Sequence, residues 1–386
     1  MVSPPQLGDV SNGTRLETTS KKPGLLKAGP LPARSSTKHT SGTFSTDLGE
    51  ASMPPQETSP EPEFVDGALV TVIGESLVDI VYNPRHGNTA PEIHSGGSPL
   101  NVAVGCARLD LRTKLVTHFA EDRYGQMIAD HLSNNGVDAI VGGSRRTSTA
   151  SATLDDTGSA QYTFSISWDI HGALIPALAA VESSLHVHTG SIATVLAPGN
   201  KSVRALIEAA RRGATTSFDP NCRAAISPDK AAVRGKAEDF VAASDIVKAS
   251  DEDLRWLYPD RTLEESMEAW LALGPALVAL TRGAQGPIIL SHSGRVDITG
   301  ETVKVADTVG AGDSFMAALI SGLAQLNALG APAKARLYGI TQSQLHAIAS
   351  YANRAAGITC SKPGANPPQL ADLGPLIIPS SNLERQ

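Results

Sequence analysis

The chain of 386 residues is long enough for one large α/β domain or two ordinary ones, and its 41% hydrophobic content suffices for a core. A formal net charge of −7 excludes a general electrostatic affinity for nucleic acid or an anionic membrane surface, while leaving room for a local basic pocket. Cys106, Cys222 and Cys360 are widely spaced and form no CxxC or Cys/His cluster, which speaks against a structural zinc site and for reduced thiols. No apolar run approaches the roughly 20 residues that span a bilayer. The N-terminus lacks the charged-then-apolar order of a secretion signal, so a soluble, cytoplasmic protein is expected.

Ser, Thr, Pro and Gly dominate residues 1–64, and their apolar residues show no period. Such a segment cannot bury enough apolar surface to offset its ordering entropy and is expected to be disordered. It is a functional tail, a dispensable extension, or a consequence of a start placed upstream of a true Met53. From residue 68 the character changes. A β-branched run over 68–74 reads as a buried strand ending in Gly74. Strand and helix then alternate: helix 100–109, strand 113–117, helix 124–136 and strand 138–141; after residue 170, strand 185–188, helix 200–213, strand 216–219, a helix closing at 239–243 and a strand from 246. Helix 264–273, strands 276–280 and 286–291, and helices 313–325 and 344–356 complete the series. Repeated alternation predicts an α/β domain over 65–375 with a mainly parallel sheet covered on both faces, followed by a flexible end over 376–386.

One stretch breaks the rhythm. Residues 147–168 contain two alternating runs joined by Asp155-Asp-Thr-Gly158, a hairpin signal. With strands from about residues 80–95, it is expected to form a small β lid standing off the main sheet.

The chemistry concentrates in Asp307-Thr-Val-Gly-Ala-Gly-Asp313-Ser-Phe315. Gly310 and Gly312 allow a tight turn that aims successive N–H groups at one spot. Phe315, Leu319 and Leu323 mark an amphipathic helix behind it. A glycine turn opening a helix is an anion site, and Asp313 in its first turn is either a simple cap or a base beside a bound phosphoryl group. The turn is neither a Walker A loop, lacking Gly-Lys-Ser/Thr, nor a dinucleotide fingerprint, lacking the third glycine. Ser95-Gly-Gly-Ser-Pro-Leu-Asn101 is a second glycine turn feeding a helix, where Asn101 either caps or bonds a polyhydroxylated ligand. Thr281-Arg-Gly283-Ala-Gln-Gly286 follows a strand at the carboxyl edge, where open α/β sheets bind ligands.

In this order and spacing these segments resemble the ribokinase (pfkB) family of carbohydrate kinases, over about residues 68–370. The resemblance implies a three-layer α/β/α sandwich with a β lid, and ATP-dependent phosphorylation of a sugar hydroxyl with Mg2+ and, in some members, K+. It implies that Asp313 is the catalytic base and that the amides of Gly310, Ala311 and Gly312 form the anion hole. Asp79, in Gly74-Glu-Ser-Leu-Val-Asp79, with Gly96, Gly97 and Asn101, matches the sugar contacts. Thr281, Gly283 and Gly286 resemble the nucleotide turn, and Asn353 falls where the family lines the adenine pocket. Asp307 and the Val309 carbonyl match a monovalent-cation site. The chain departs from ribokinases proper at Lys248-Ala-Ser250-Asp-Glu-Asp253, where Ser250 and Asp253 stand in place of Asn-x-x-Glu, a feature tied to nucleotide phosphate and magnesium.

Gly97 is followed by Ser98-Pro99 rather than lysine, and Phe218-Asp-Pro-Asn-Cys-Arg223 is similar to a segment of fructokinases and 2-keto-3-deoxygluconate kinases. Arg223 is suited to hold an ATP phosphate or a substrate carboxylate as a bidentate donor. Fructose is the first expected substrate, an acidic keto sugar the second and a nucleoside the third. The partners expected are the sugar and ATP, with a homodimer formed through the lid. The competing class is a non-catalytic, sugar-sensing module of the same fold. His186 and His188 share one face of a strand with no third ligand and are expected to pack.

Overall fold

A computed structural model describes residues 69–82, 90–143, 145–154 and 160–378, so the 1–64 extension, Met53 and the hairpin turn at 155–158 lie outside the described residues. In chain order the strands are β1 (Leu69–Ile73), β2 (Leu77–Tyr82), β3 (Glu92–Gly96), β4 (Arg112–His118), β5 (Val137–Gly142), β6 (Ser148–Leu154), β7 (Ala160–Ser165), β8 (His186–Gly190), β9 (Thr215–Asp219), β10 (Ile246–Ser250), β11 (Leu277–Thr281), β12 (Ile288–Ser291) and β13 (Gly294–Asp297). The helices are α1 (Ser98–Arg108), α2 (Arg123–Asn134), α3 (Leu174–Glu182), α4 (Gly199–Ala210), α5 (Lys230–Ala242), α6 (Asp251–Leu257), α7 (Leu263–Leu271), α8 (Ala311–Gln325), α9 (Lys334–Tyr338), α10 (Gln342–Cys360) and α11 (Leu370–Leu373).

Nine strands form the main sheet in the order β13-β12-β11-β10-β9-β8-β1-β4-β5. Every pairing from β11 to β5 is parallel, and only β12 and β13 are added antiparallel at one edge. The order reverses beside β1, with β4 and β5 to one side and β8 onward to the other. Ligands of open α/β sheets bind at the carboxyl ends of strands around such a reversal. The expected alternation is therefore observed, and its reason is visible in the burial. In β10, Ile246 faces one core while Val247 and Ala249 face the other. Val70, Val72 and the apolar residues of α1, α8 and α10 form the first core. Ile73, Val187, Phe218 and Trp270 belong to the second.

A separate four-stranded sheet, β3-β2-β6-β7, is built from the two stretches expected to stand apart. β2 runs parallel to β6 and antiparallel to β3, and β6 pairs antiparallel with β7 as the hairpin pattern predicts.

Four helices, α3, α6, α9 and α11, fall outside the sequence-based expectation. α3 carries Pro176 in its first turn, where a missing N–H costs little. α6 has seven residues, too few to display a period. The helix expected to be amphipathic, α8, is instead buried on nearly every side from Asp313 to Leu323. Its small residues explain this: Ala317 faces Gly105 of α1, where an added Cβ would lie 2.7 Å from Ala317 Cβ, and Gly322 faces Ile348 of α10. Among the described residues no helix is long and apolar enough to cross a membrane.

Candidate active site

α8 begins at Gly310, whose left-handed φ of 75° is open to glycine at little cost. No side chain caps this helix. Its first intrahelical bond runs from Ser314 N–H to the Gly310 carbonyl at 2.8 Å, and Ala311 N–H turns toward the Thr308 carbonyl at 3.3 Å. The N–H groups of Gly312 and Asp313 belong to the first turn, which has no carbonyl before it to pair with. Asp307 braces the turn from outside, accepting from Val309 N–H at 3.1 Å and Gly364 N–H at 3.0 Å.

Asp313 is 7% exposed. Its two carboxylate oxygens accept separately: Oδ1 from Ser98 Oγ at 2.7 Å and Oδ2 from Asn101 Nδ2 at 2.8 Å. The first turns of α1 and α8 thus meet at this carboxylate, which fixes its orientation. The Asn101 amide, expected either to cap the helix or to bond a polyhydroxylated ligand, donates one of its two N–H groups to Asp313. The Gly-Gly pair before α1 lies against the segment after β1. A Cβ on Gly97, at φ 111°, would lie 2.6 Å from the Glu75 carbonyl, and one on Gly96 would lie 2.3 Å from Asp79 Oδ2. Burial pushes the Asp79 carboxyl up from its ordinary value, while the charges of His94 and Arg223 pull it back.

Two cations divide this edge of the sheet. Arg223 follows Asn221, a left-handed residue at φ 37°, and donates to the Asn221 side chain at 2.6 Å. Its charge reaches Glu75 and Asp79 on the side of the Gly-Gly pair. Lys248 in β10 donates from Nζ to Asp219 Oδ2 at 2.8 Å, with both side chains inside the protein. Its neighbours are Asp219, Asp253 and Asp313.

Ser250 and Asp253 have local work. They form the reciprocal capping box of α6, and Asp253 also accepts Cys222 N–H at 2.7 Å, tying the loop of Arg223 to β10. Among the described residues no cluster of three or more His, Cys, Asp or Glu side chains is placed to hold a metal ion. The turn after β11 contains Gly283 at φ 53° and Gly286 at φ 79°, and a Cβ on Gly286 would lie 2.0 Å from the Ile298 carbonyl. Thr281 Oγ1 donates to the Ala249 carbonyl at 3.4 Å. Asn353 does not stand free beside this turn. Its Nδ2 donates to the Thr299 carbonyl at 2.9 Å, so α10 holds the strip on which the turn rests.

Three residues of this region are absent from the sequence-based list: Ser98, Glu75 and Lys248. Glu75 is 3% exposed, accepts Ala193 N–H at 3.1 Å, and burial carries its carboxyl up to about 7. A signal existed for two of them, since Glu75 directly follows a buried strand and Lys248 lies inside one; a charge there demands a partner. The histidines pack as expected. His186 shares Thr215 and Ser217 hydroxyls, His188 shares Ser217, and burial holds both below their ordinary range, His186 at about 3.

Residues 68–372 match the family model described as pfkB family carbohydrate kinase. The chain is 31% identical over 272 residues to a fructokinase of Rhizobium leguminosarum bv. trifolii, covering 68% of this chain and 81% of the relative. It is 31% identical over 315 residues to fructokinase-1 of Oryza sativa subsp. japonica, covering 78% of this chain and 94% of the relative. Among solved structures, a fructokinase double mutant of Vibrio cholerae O395 with fructose, ADP and potassium ion bound matches with a TM-score of 0.66 and 26% identity, over 80% of this chain and 97% of that one.

Proposed function

The chain belongs to the pfkB family of carbohydrate kinases, and from that premise we propose that it transfers the γ-phosphoryl group of ATP to fructose, giving fructose 6-phosphate. The observation that carries this reading is the carboxylate of Asp313, held by Ser98 and Asn101 at the uncapped N-terminus of α8. The sugar lies against Asp79, Gly96, Gly97 and Asn101, with one hydroxyl facing Asp313. The γ-phosphoryl group lies at the amides of Gly310, Ala311 and Gly312, reached from the turn of Thr281, Gly283 and Gly286 beside Asn353 and Ser250. As the sugar oxygen forms its bond to phosphorus, its proton passes to the Asp313 carboxylate and the bond to the β-phosphate oxygen breaks, releasing ADP. The helix terminus stabilises the charge on the transferred group through its partial positive charge and the N–H groups of its first turn.

Magnesium bound with ATP would supply neutralisation of phosphate charge. Asp253, whose Oδ1 also accepts Cys222 N–H, would be the carboxylate to hold that ion. Asp307 and the Val309 carbonyl would hold a potassium ion. The four-stranded sheet carries Asp79 on β2 and ends β3 at Gly96, so it serves as the lid on the sugar side and as the surface for a homodimer.

Asp313→Asn, assayed for ADP release against fructose, ribose, 2-keto-3-deoxygluconate and adenosine, tests the mechanism. Turnover is expected to fall at least about a hundredfold while ATP binding is retained. Turnover near that of the unaltered chain would remove Asp313 from the mechanism; activity confined to the acidic sugar would replace fructose as substrate.

A further inference from the structure

Lys248 is used by nothing in the reaction as described, yet its position is costly. Its side chain is 5% exposed, and an ammonium removed from water carries a penalty that one carboxylate repays only with good geometry. Buried ion pairs of this kind contribute little net stability compared with packed apolar side chains. The end of α8 also opposes a cation there. A Cβ placed on Gly312 would lie 2.8 Å from Lys248 Nζ, so the ammonium rests against the first turn of α8. That end of a helix already carries partial positive charge and favours anions. Two positive elements converge on one spot, and the spot is where a phosphoryl group is to be transferred.

The carboxylates nearby sharpen the need. Asp219, Asp253 and Asp313 all act on Lys248, and burial opposes its charge, yet their sum lifts its proton affinity above the ordinary lysine value. At neutral pH the ammonium is therefore charged. A phosphoryl group entering this cluster brings more negative charge, and three carboxylates by themselves would repel it. Arg223 acts on Glu75 and Asp79, at the other end of the site. Among the described residues Lys248 makes one hydrogen bond, to Asp219, of the three its ammonium can donate.

We propose that Lys248 is the cation of the anion hole: its ammonium, fixed by Asp219 behind Gly312, stabilises the negative charge that builds on the phosphoryl group in flight. Asp219 is the residue that positions it. Gly312 is then glycine for a second reason beyond its place in the turn, since any side chain there would displace the ammonium. The inference rests on the kinase reading and deepens it.

The test uses Lys248→Met and the double variant Lys248→Met/Asp219→Asn. The single change leaves a buried carboxylate unpaired and risks misfolding; the double change removes both charges together. Each is compared with the unaltered protein in thermal unfolding, in steady-state turnover of Mg-ATP with fructose, and in calorimetric binding of ADP with and without aluminium fluoride, a mimic of the transferred group. The double variant is expected to fold, to keep KM for fructose within about threefold, and to lose about a hundredfold in kcat, the scale of one missing anion-hole donor. It should bind ADP as the unaltered protein does, while the tightening caused by aluminium fluoride drops by a similar factor. A folded double variant with kcat and aluminium fluoride response within about threefold of the unaltered protein overturns the proposal and leaves the pair as a structural ion pair. An unaltered protein that turns over none of the sugars overturns both this inference and the kinase reading, whatever the variants do.

Discussion

Single buried charges set the character of this site. Glu75 shows how burial turns one side chain into a pH response. Its carboxyl is lifted from 4.5 to about 7, so between those values the folded protein holds a proton that the unfolded chain releases. The stability linked to this group is complete below about pH 4.5 and is lost as pH rises through about 7, the reverse of the usual carboxylate. A shift of that size corresponds to an energy on the order of 3 kcal/mol. Glu75→Gln keeps an acceptor for Ala193 N–H and removes the titration. Urea midpoints at about pH 5 and about pH 8 should therefore show the unaltered protein losing stability relative to the variant as pH rises. Parallel pH dependences in the two proteins would show that Glu75 is not the titrating group.

At the scale of one element, the start of α8 decides whether the anion site exists. Gly310 adopts φ 75°, and a Cβ there would stand 2.7 Å from Ala365 Cβ and 2.9 Å from its Cα, neither of which can swing away. Gly310→Ala is expected to cost about 2 kcal/mol or more, combining left-handed strain with overpacking, and to slow turnover by moving the first-turn amides. Gly136→Ala is the matching control, because Gly136 has φ 69° and nothing within 4 Å of an added Cβ. It should cost only about 1 kcal/mol of strain and leave turnover unchanged. Denaturation midpoints and kcat of the two variants separate backbone strain from damage to the site; equal turnover in both would show that the Gly310 turn does not position the amides.

Across the whole molecule, two cores grip one sheet, and the site lies along its carboxyl edge. Trp270 anchors the core opposite α8, 1% exposed, with its Nε1 donating to Tyr258 Oη at 2.8 Å and the two rings edge to face. Trp270→Ala is expected to cost about 3–5 kcal/mol in unfolding free energy. KM for fructose should stay unchanged where the variant remains folded, because among the described residues its hydrogen bond and ring contact go to Tyr258. A large change in KM at unaltered folding would show that the two faces of the sheet are coupled.

The alternation of strand and helix, the glycine turns, the hairpin of β6 and β7, and the chemical nature of the turn that holds Asp313 are legible in the amino-acid order alone. All of these are local: turn chemistry, β-branching and hydrophobic period act over a few residues. Which of them meet depends on the assembled fold. Ser98 and Asn101 reach Asp313 across 215 and 212 residues of chain, and Lys248 reaches Gly312 from a strand that reads locally as an ordinary buried one. Those meetings follow from strand order, since β1, β8, β9, β10 and β11 bring their carboxyl ends to one edge only once the sheet is assembled. A charged residue in a buried strand announces that it needs a partner; where that partner lies is a property of the sheet.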